Sequence, residues 1–195
     1  MSDRGTRQLR TVATDFTTRE DGEELLIEGY FAVFDSNYEI WPGASESIAP
    51  GAFAKSLESD DIRALTNHNT DLVLGRNRAG TLILKEDTHG LWGSIRINPK
   101  DSDAVNTRER VLRGDVSQCS IGFDIREEET EFRDDGSVHW TIKDVKLWEV
   151  SVCTFPAYES TNVQARQRDL EEIQRRKAQA WAEKARKRLR GEENA

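Results

Sequence analysis

A chain of 195 residues, 36% of them hydrophobic, can close one hydrophobic core with an appendage, and its two cysteines are too few for a cystine framework. The formal net charge of -8 is unevenly spread: residues 166–195 hold ten Lys/Arg against six Asp/Glu, and the remaining residues hold 18 against 30. An acidic body repels nucleic acid, no apolar run is long enough to span a bilayer, and charged Asp3, Arg4, Arg7 and Arg10 leave no room for a signal peptide, so the expectation is a soluble protein in a reducing cytosol with Cys119 and Cys153 as thiols.

Period-two alternation predicts strands over 9–16, 24–34, 62–66, 72–74, 81–85, 91–97, 116–127 and 138–154. Leu25, Ile27, Phe31 and Val33 alternate in the second of these, and Leu91, Gly93, Ile95 and Ile97 in the sixth. Asp135-Gly136 tolerates the positive φ of a tight turn and joins the last two as a hairpin. A short helix is predicted over 50–57, with Phe53 and Leu57 on one face. A second is capped by Asp101 or Ser102 and stopped by Gly114, with Val105 and Leu112 on one face. Many short strands with Asn/Asp/Gly punctuation predict a mainly β fold of α+β type, an antiparallel β-barrel flanked by a few helices. Composition shifts after Tyr158. Residues 166–190 are rich in Ala, Gln, Glu, Lys and Arg and predict a charged helix on which Leu170, Ile173 and Trp181 form a thin apolar stripe. The expected organisation is a β domain over 1–165 and a charged helical tail over 166–195. The tail has the charge for a weak contact with nucleic acid, although a mixed run of charge equally describes a solvated helix face.

If Ile121, Phe123 and Ile125 face the core, alternation sends Ser120, Gly122 and Asp124 to the other face, where Ser120 is open to solvent. Ser117 and Cys119 then share the buried face. A serine hydroxyl becomes a nucleophile only beside a base, and the chain has three histidines. His68, in the polar run Thr66-Asn67-His68-Asn69-Thr70 after a predicted strand, is the best placed base. His89 in a turn and His139 beside Trp140 are explained by surface or packing roles. In Lys146-Leu147-Trp148-Glu149-Val150-Ser151-Val152 the apolar parity switches between Leu147 and Trp148, so this strand is buried on both faces or bulged there. Glu149 then lies in or beside a low-dielectric setting and needs a cation, either an imidazolium or an ordinary Arg or Lys. Arg76 of Leu74-Gly75-Arg76 suits either an oxyanion-stabilising water or a salt bridge. No HExxH, paired-Cys or glycine-rich phosphate motif is present, so neither a metal nor a cofactor is expected.

The strings Gly29-Tyr30-Phe31-Ala32-Val33-Phe34, Glu46-Ser47-Ile48-Ala49-Pro50-Gly51-Ala52-Phe53, Asn67-His68, Leu74-Gly75-Arg76, Ser120-Ile121-Gly122-Phe123, Glu149-Val150-Ser151 and Thr154-Phe155-Pro156-Ala157-Tyr158, in that order and spacing, carry a family resemblance. The chain resembles the prohead maturation proteases of tailed bacteriophages, the Hong Kong 97 type, which are distantly similar to herpesvirus assemblin. The resemblance implies a herpesvirus-protease-like β-barrel and a serine endopeptidase with Ser120 as nucleophile, His68 as general base and Glu149 as third member. The herpesvirus enzymes use a second histidine in that third role, and nothing marks His89 or His139 as its equivalent. Two departures stand out: Asn69 where the family often has aspartate, and residues 37–45, which have the composition of an enlarged loop. The implied substrate is the scaffolding segment of the major capsid protein, or a separate scaffold protein, together with the enzyme itself. The implied location is the assembling procapsid in the host cytoplasm. Two competing readings are a non-enzymatic capsid scaffold or assembly protein that keeps the barrel, and a cysteine hydrolase using Cys119.

Overall fold

The computed structural model describes residues 8–13, 16–21 and 24–155, and, further on, 170, 171, 174–176, 178, 179, 181–183 and 186. The body, Arg4–Tyr158, is one compact unit, and Met1–Asp3 with Glu159–Ala195 make up a second. In chain order the body contains β1 (Gln8–Ala13), β2 (Thr17–Asp21), β3 (Glu24–Val33), β4 (Tyr38–Trp41), β5 (Ala44–Ile48), α1 (Ala54–Ser59), β6 (Arg63–Thr66), β7 (Asn69–Arg76), β8 (Leu82–Glu86), β9 (Gly90–Ile97), α2 (Ser102–Leu112), β10 (Gln118–Phe132) and β11 (Val138–Cys153). It is mainly β with few helices.

The strands form two open sheets. One has seven strands: β1-β10-β11-β5-β4 in order, with β6 also on β11 and β7 on β6. The other is β2-β3-β9-β8. The antiparallel closed barrel expected from sequence is therefore not found. Its replacement is explained by β11, whose 16 residues are long enough to serve two neighbours on one edge. Residues Val138 to Ile142 pair with β5 and Glu149 to Val152 with β6, both in parallel, while β10 runs antiparallel along the other edge. Ile27, Phe31 and Ile95 of the smaller sheet and Ile121, Phe123, Leu147 and Val150 of the larger one enter the same core, and each is essentially inaccessible to solvent.

Several boundaries move for local reasons. Gly51 at φ +87° breaks the helical path, so α1 begins at Ala54 rather than residue 50. Asp101 caps α2 by accepting from the N–H groups of Asp103 and Ala104. The buried face of α2 is Ala104, Thr107, Arg108 and Val111, and Leu112, expected inside, is exposed. Residues 37–45 are no loop: they form β4 and the start of β5 around Gly43 at φ +84°. The Asp-Gly hairpin forms as expected, with Gly136 at φ +84° and the Arg133 N–H donating to Ser137 O at 2.9 Å. The described residues between 170 and 186 are helical, and Trp181 is exposed. Ile173 and the expected boundary at 165/166 lie outside the described residues.

Candidate active site

Ser120 sits on the central strand of the larger sheet's β1-β10-β11 portion, opposite Thr11 on one side and Ser151 on the other. Alternation holds on β10: Cys119, Ile121 and Phe123 enter the core. The other face is covered as well. Ser120 is fully buried rather than open to solvent, and its Oγ makes no hydrogen bond among the described residues. Ser117, expected inside, precedes the strand and is exposed. A buried hydroxyl without a partner costs about 1–3 kcal/mol, and such a group in a folded protein calls for an explanation.

Glu149 reaches this face through a bulge. Gly122 pairs with Glu149 but Phe123 pairs with Leu147, so Trp148 is the extra residue. That slip lets Leu147 and Val150 both enter the core while Glu149, Ser151 and Cys153 line up on the face shared with Ser120. The parity switch in the sequence is thus the bulge. Trp148 donates from its Nε1 to Asp124 Oδ2 at 2.8 Å, which anchors the side chain that the bulge displaces.

His68 arrives on the tip of the β6–β7 hairpin. Thr66 pairs with Asn69, leaving Asn67 and His68 as a two-residue turn, and both have positive φ, 52° and 59°. Two-residue hairpins favour this geometry because it matches the twist of the strands, but it normally falls to Asn-Gly. Asn67 fits. His68 in the left-handed region carries a cost of about 1–2 kcal/mol, and contacts to β11 offset it. The Asn67 N–H donates to Val152 O at 2.9 Å, the Thr154 N–H donates to Asn67 Oδ1 at 2.8 Å, and the His68 N–H donates to Ser151 Oγ at 3.2 Å.

The imidazole is thereby held over β11. Its Nδ1 lies 2.7 Å from Glu149 Oε1, and Ser151 Oγ donates to the other carboxylate oxygen, Oε2, at 2.7 Å. Glu149 is buried and His68 about a fifth exposed, with side-chain accessibilities of 4% and 22%. An ionised carboxylate only accepts, so Nδ1 carries the ring proton and Nε2 is left as the basic atom. Nε2 faces Cys153 Sγ at 3.8 Å. Burial, followed by the nearby charge of Glu149, pushes the Cys153 thiol up to about 12, so this sulfur is a neutral S–H at neutral pH.

The structure therefore joins two of the three residues predicted from sequence, His68 and Glu149, and sets Ser120 directly across from the serine that bonds to both of them. No hydrogen bond links Ser120 to His68. The partner of Glu149 is the histidine and not an arginine or lysine. Arg76 is committed elsewhere, donating from Nε and Nη2 to the two carboxylate oxygens of Asp61 at 2.7 and 2.6 Å, which makes it a salt bridge. His89 packs edge-on against Tyr30, and His139 lies between the hydroxyls of Ser45 and Ser47, so neither is near this face. Cys119 is buried with its Sγ toward Tyr30 O and Phe31 O in the core. A cavity lined by Arg10, Phe31, Tyr38, Glu46 and Ile121 is bounded by none of Ser120, His68 or Glu149.

The family model of the caudovirus prohead serine protease matches residues 12–176. The chain belongs to this family. It is similar to the prohead protease of Enterobacteria phage HK97, at 29% identity over 155 residues that cover 78% of this chain and 64% of that protein. The chain thus spans slightly less than two thirds of that relative's length. Among solved structures it is similar to the bacteriophage T4 capsid assembly protease, with 12% identity and a TM-score of 0.48, covering 77% of this chain and 98% of that one.

Ser151 and Cys153, which lie against Glu149 and His68, were not singled out by the sequence. The signal was present, since residues 149, 151 and 153 of one strand share a face. It becomes useful only once the bulge at Trp148 fixes which face that is.

Proposed function

We propose that the chain is a serine endopeptidase that cuts the scaffolding segment of the major capsid protein, or a scaffold protein, during procapsid maturation, and that it also processes itself. Ser120 is the nucleophile, His68 the general base and Glu149 the group that orients the base. Membership of the prohead protease family supports the activity. The observation that carries the site is the buried, unpartnered Ser120 hydroxyl placed in register beside an assembled His68–Glu149 pair.

In the proposed reaction His68 Nε2 leaves Cys153 and approaches Ser120 Oγ. It takes the hydroxyl proton as Oγ attacks the peptide carbonyl, then returns that proton to the departing amine. Glu149 holds Nδ1–H throughout and supports the imidazolium that forms. Water then attacks the acyl-enzyme by the same proton route. Among the described residues no helix is long and apolar enough to cross a membrane, and the proposed working place is the procapsid interior inside the host. The basic balance of residues 166–195 suits a role for that segment in carrying the enzyme into the shell.

The deciding experiment is co-expression of Ser120→Ala with capsid and scaffold proteins. Cleavage is expected to cease while the thermal melt stays within a few degrees of wild type. Continued processing at the normal rate overturns the assignment. The missing Ser120–His68 hydrogen bond favours one second reading, a catalytically silent assembly protein. It predicts that Ser120→Ala leaves shell assembly and polypeptide lengths unchanged, because even the wild-type chain would cut nothing.

A further inference from the structure

Resting on the assignment of His68 as base, we propose that Ser151 is a positioning residue of the same site, a hydroxyl that fixes both the acid and the turn that carries the base. Three hydrogen bonds close into a ring. The His68 ring donates to one oxygen of Glu149, the other oxygen accepts from Ser151, and Ser151 in turn accepts from the His68 backbone N–H. Ser151 is wholly buried, so water does not compete for these bonds.

Each bond in the ring removes one freedom of the catalytic geometry. The bond to Oε2 stops the carboxylate rotating away from Nδ1. The bond from the His68 N–H ties down a backbone held at φ 59°, which would otherwise relax toward a more favourable conformation. Ser151 spends its only proton on Glu149, so it has none to yield to Nε2. Ser120, its partner across the ladder, makes no such commitment. Two serines facing one another thus divide the work: one holds the acid and the other is free to react.

The test uses the full chain and a fluorophosphonate probe, which needs no knowledge of the natural substrate. The attacking serine forms an O–P bond, fluoride leaves, and the hydroxyl proton passes to the base. Ser151→Ala is expected to lower the maximal labelling rate about 10- to 100-fold with the probe's half-saturating concentration unchanged, as befits a lost orienting bond rather than a lost binding contact. The downfield proton NMR signal of His68 Nδ1–H should weaken or move upfield in the same variant. In a Glu149→Gln background, Ser151→Ala should add less than about threefold, because the two act through one ring. Wild-type labelling by Ser151→Ala with an unmoved proton signal, alongside an unreactive Ser120→Ala, overturns the positioning role and leaves the protease assignment standing. A mass-mapped adduct on Ser151 of the wild-type protein overturns it too. Undiminished labelling of Ser120→Ala overturns the protease assignment, and this inference with it.

Discussion

Glu149→Gln is the substitution that most directly probes the site, since it keeps the shape of the side chain and removes its charge. In the wild-type protein one carboxylate oxygen takes His68 Nδ1–H at 2.7 Å and the other takes Ser151 Oγ–H at 2.7 Å, both inside the protein. A hydrogen bond to a charged group is worth about 1.5–3 kcal/mol, against about half that for a neutral pair. Losing only the charge support for an imidazolium, about 0.75–1.5 kcal/mol, therefore slows the reaction about 3- to 12-fold, at one decade per ~1.4 kcal/mol. The glutamine amide adds a second penalty. If its NH2 faces the ring, Nδ1 must accept, the proton moves to Nε2, and the ring can no longer act as a base; the corresponding change in serine-protease triads costs about 10⁴. The expected loss thus lies between about 3- and 10⁴-fold, and the larger values report the wrong tautomer. Labelling of Ser120 by a fluorophosphonate, followed by mass spectrometry, gives the rate, and a thermal melt checks the fold. A well-folded Glu149→Gln that labels at the wild-type rate would refute the claim that this carboxylate orients the base.

Three further outcomes concern Cys153 and the Arg76–Asp61 salt bridge. Cys153 is pushed up to about 12, well above the ordinary thiol value, so iodoacetamide at pH 8 should leave the folded protein unmodified and active; rapid inactivation with an adduct on Cys153 would contradict this. Because folding favours its neutral form, stability should also decline as pH rises above the ordinary thiol value toward about 12. Asp61 behaves oppositely: hydrogen bonding to Arg76, aided by the charges of Arg63 and Arg76, lowers its carboxyl to about 2 from the ordinary 3.8. Its contribution is present above the ordinary value and is lost as pH falls through about 2, so Asp61→Asn should be less stable than wild type in urea melts at pH 7, with most of the gap closed by pH 2. A gap undiminished at pH 2 would point to a role other than charge.

Much of the fold is legible in local pattern, because Ile27, Phe31, Ile95, Ile121 and Phe123 recur at even spacing within their strands and enter one core. Closure into a barrel was not legible. Whether a sheet closes depends on which distant edges meet, and nothing within 138–153 announces that one strand will take two parallel neighbours. Residues 37–45 read as a loop because Asn37, Pro42 and Gly43 outweigh so short a strand as β4. At the site, His68 was separable from the other two histidines by its surroundings, whereas the partner of Glu149 was left open between an imidazolium and an Arg or Lys, because the contact spans 81 positions. The exposure of Ser120 was misjudged, since alternation assigns a residue to a face of the sheet and does not say what covers that face. The left-handed turn at Asn67-His68 was hidden for a related reason: histidine is an uncommon occupant of that conformation, and tertiary bonds to β11, rather than local preference, hold it there.

The strand that carries Glu149 is the last of the body to leave the ribosome, and it is also the bench on which His68 is clamped. Until residues 149–153 are synthesised and laid along β10, the hairpin has nothing to lean on and the histidine no carboxylate to face. A nascent chain already long enough to include Ser120 therefore holds the proposed nucleophile and base apart. On the proposed assignment, the order of translation itself postpones cleavage until the whole β body exists.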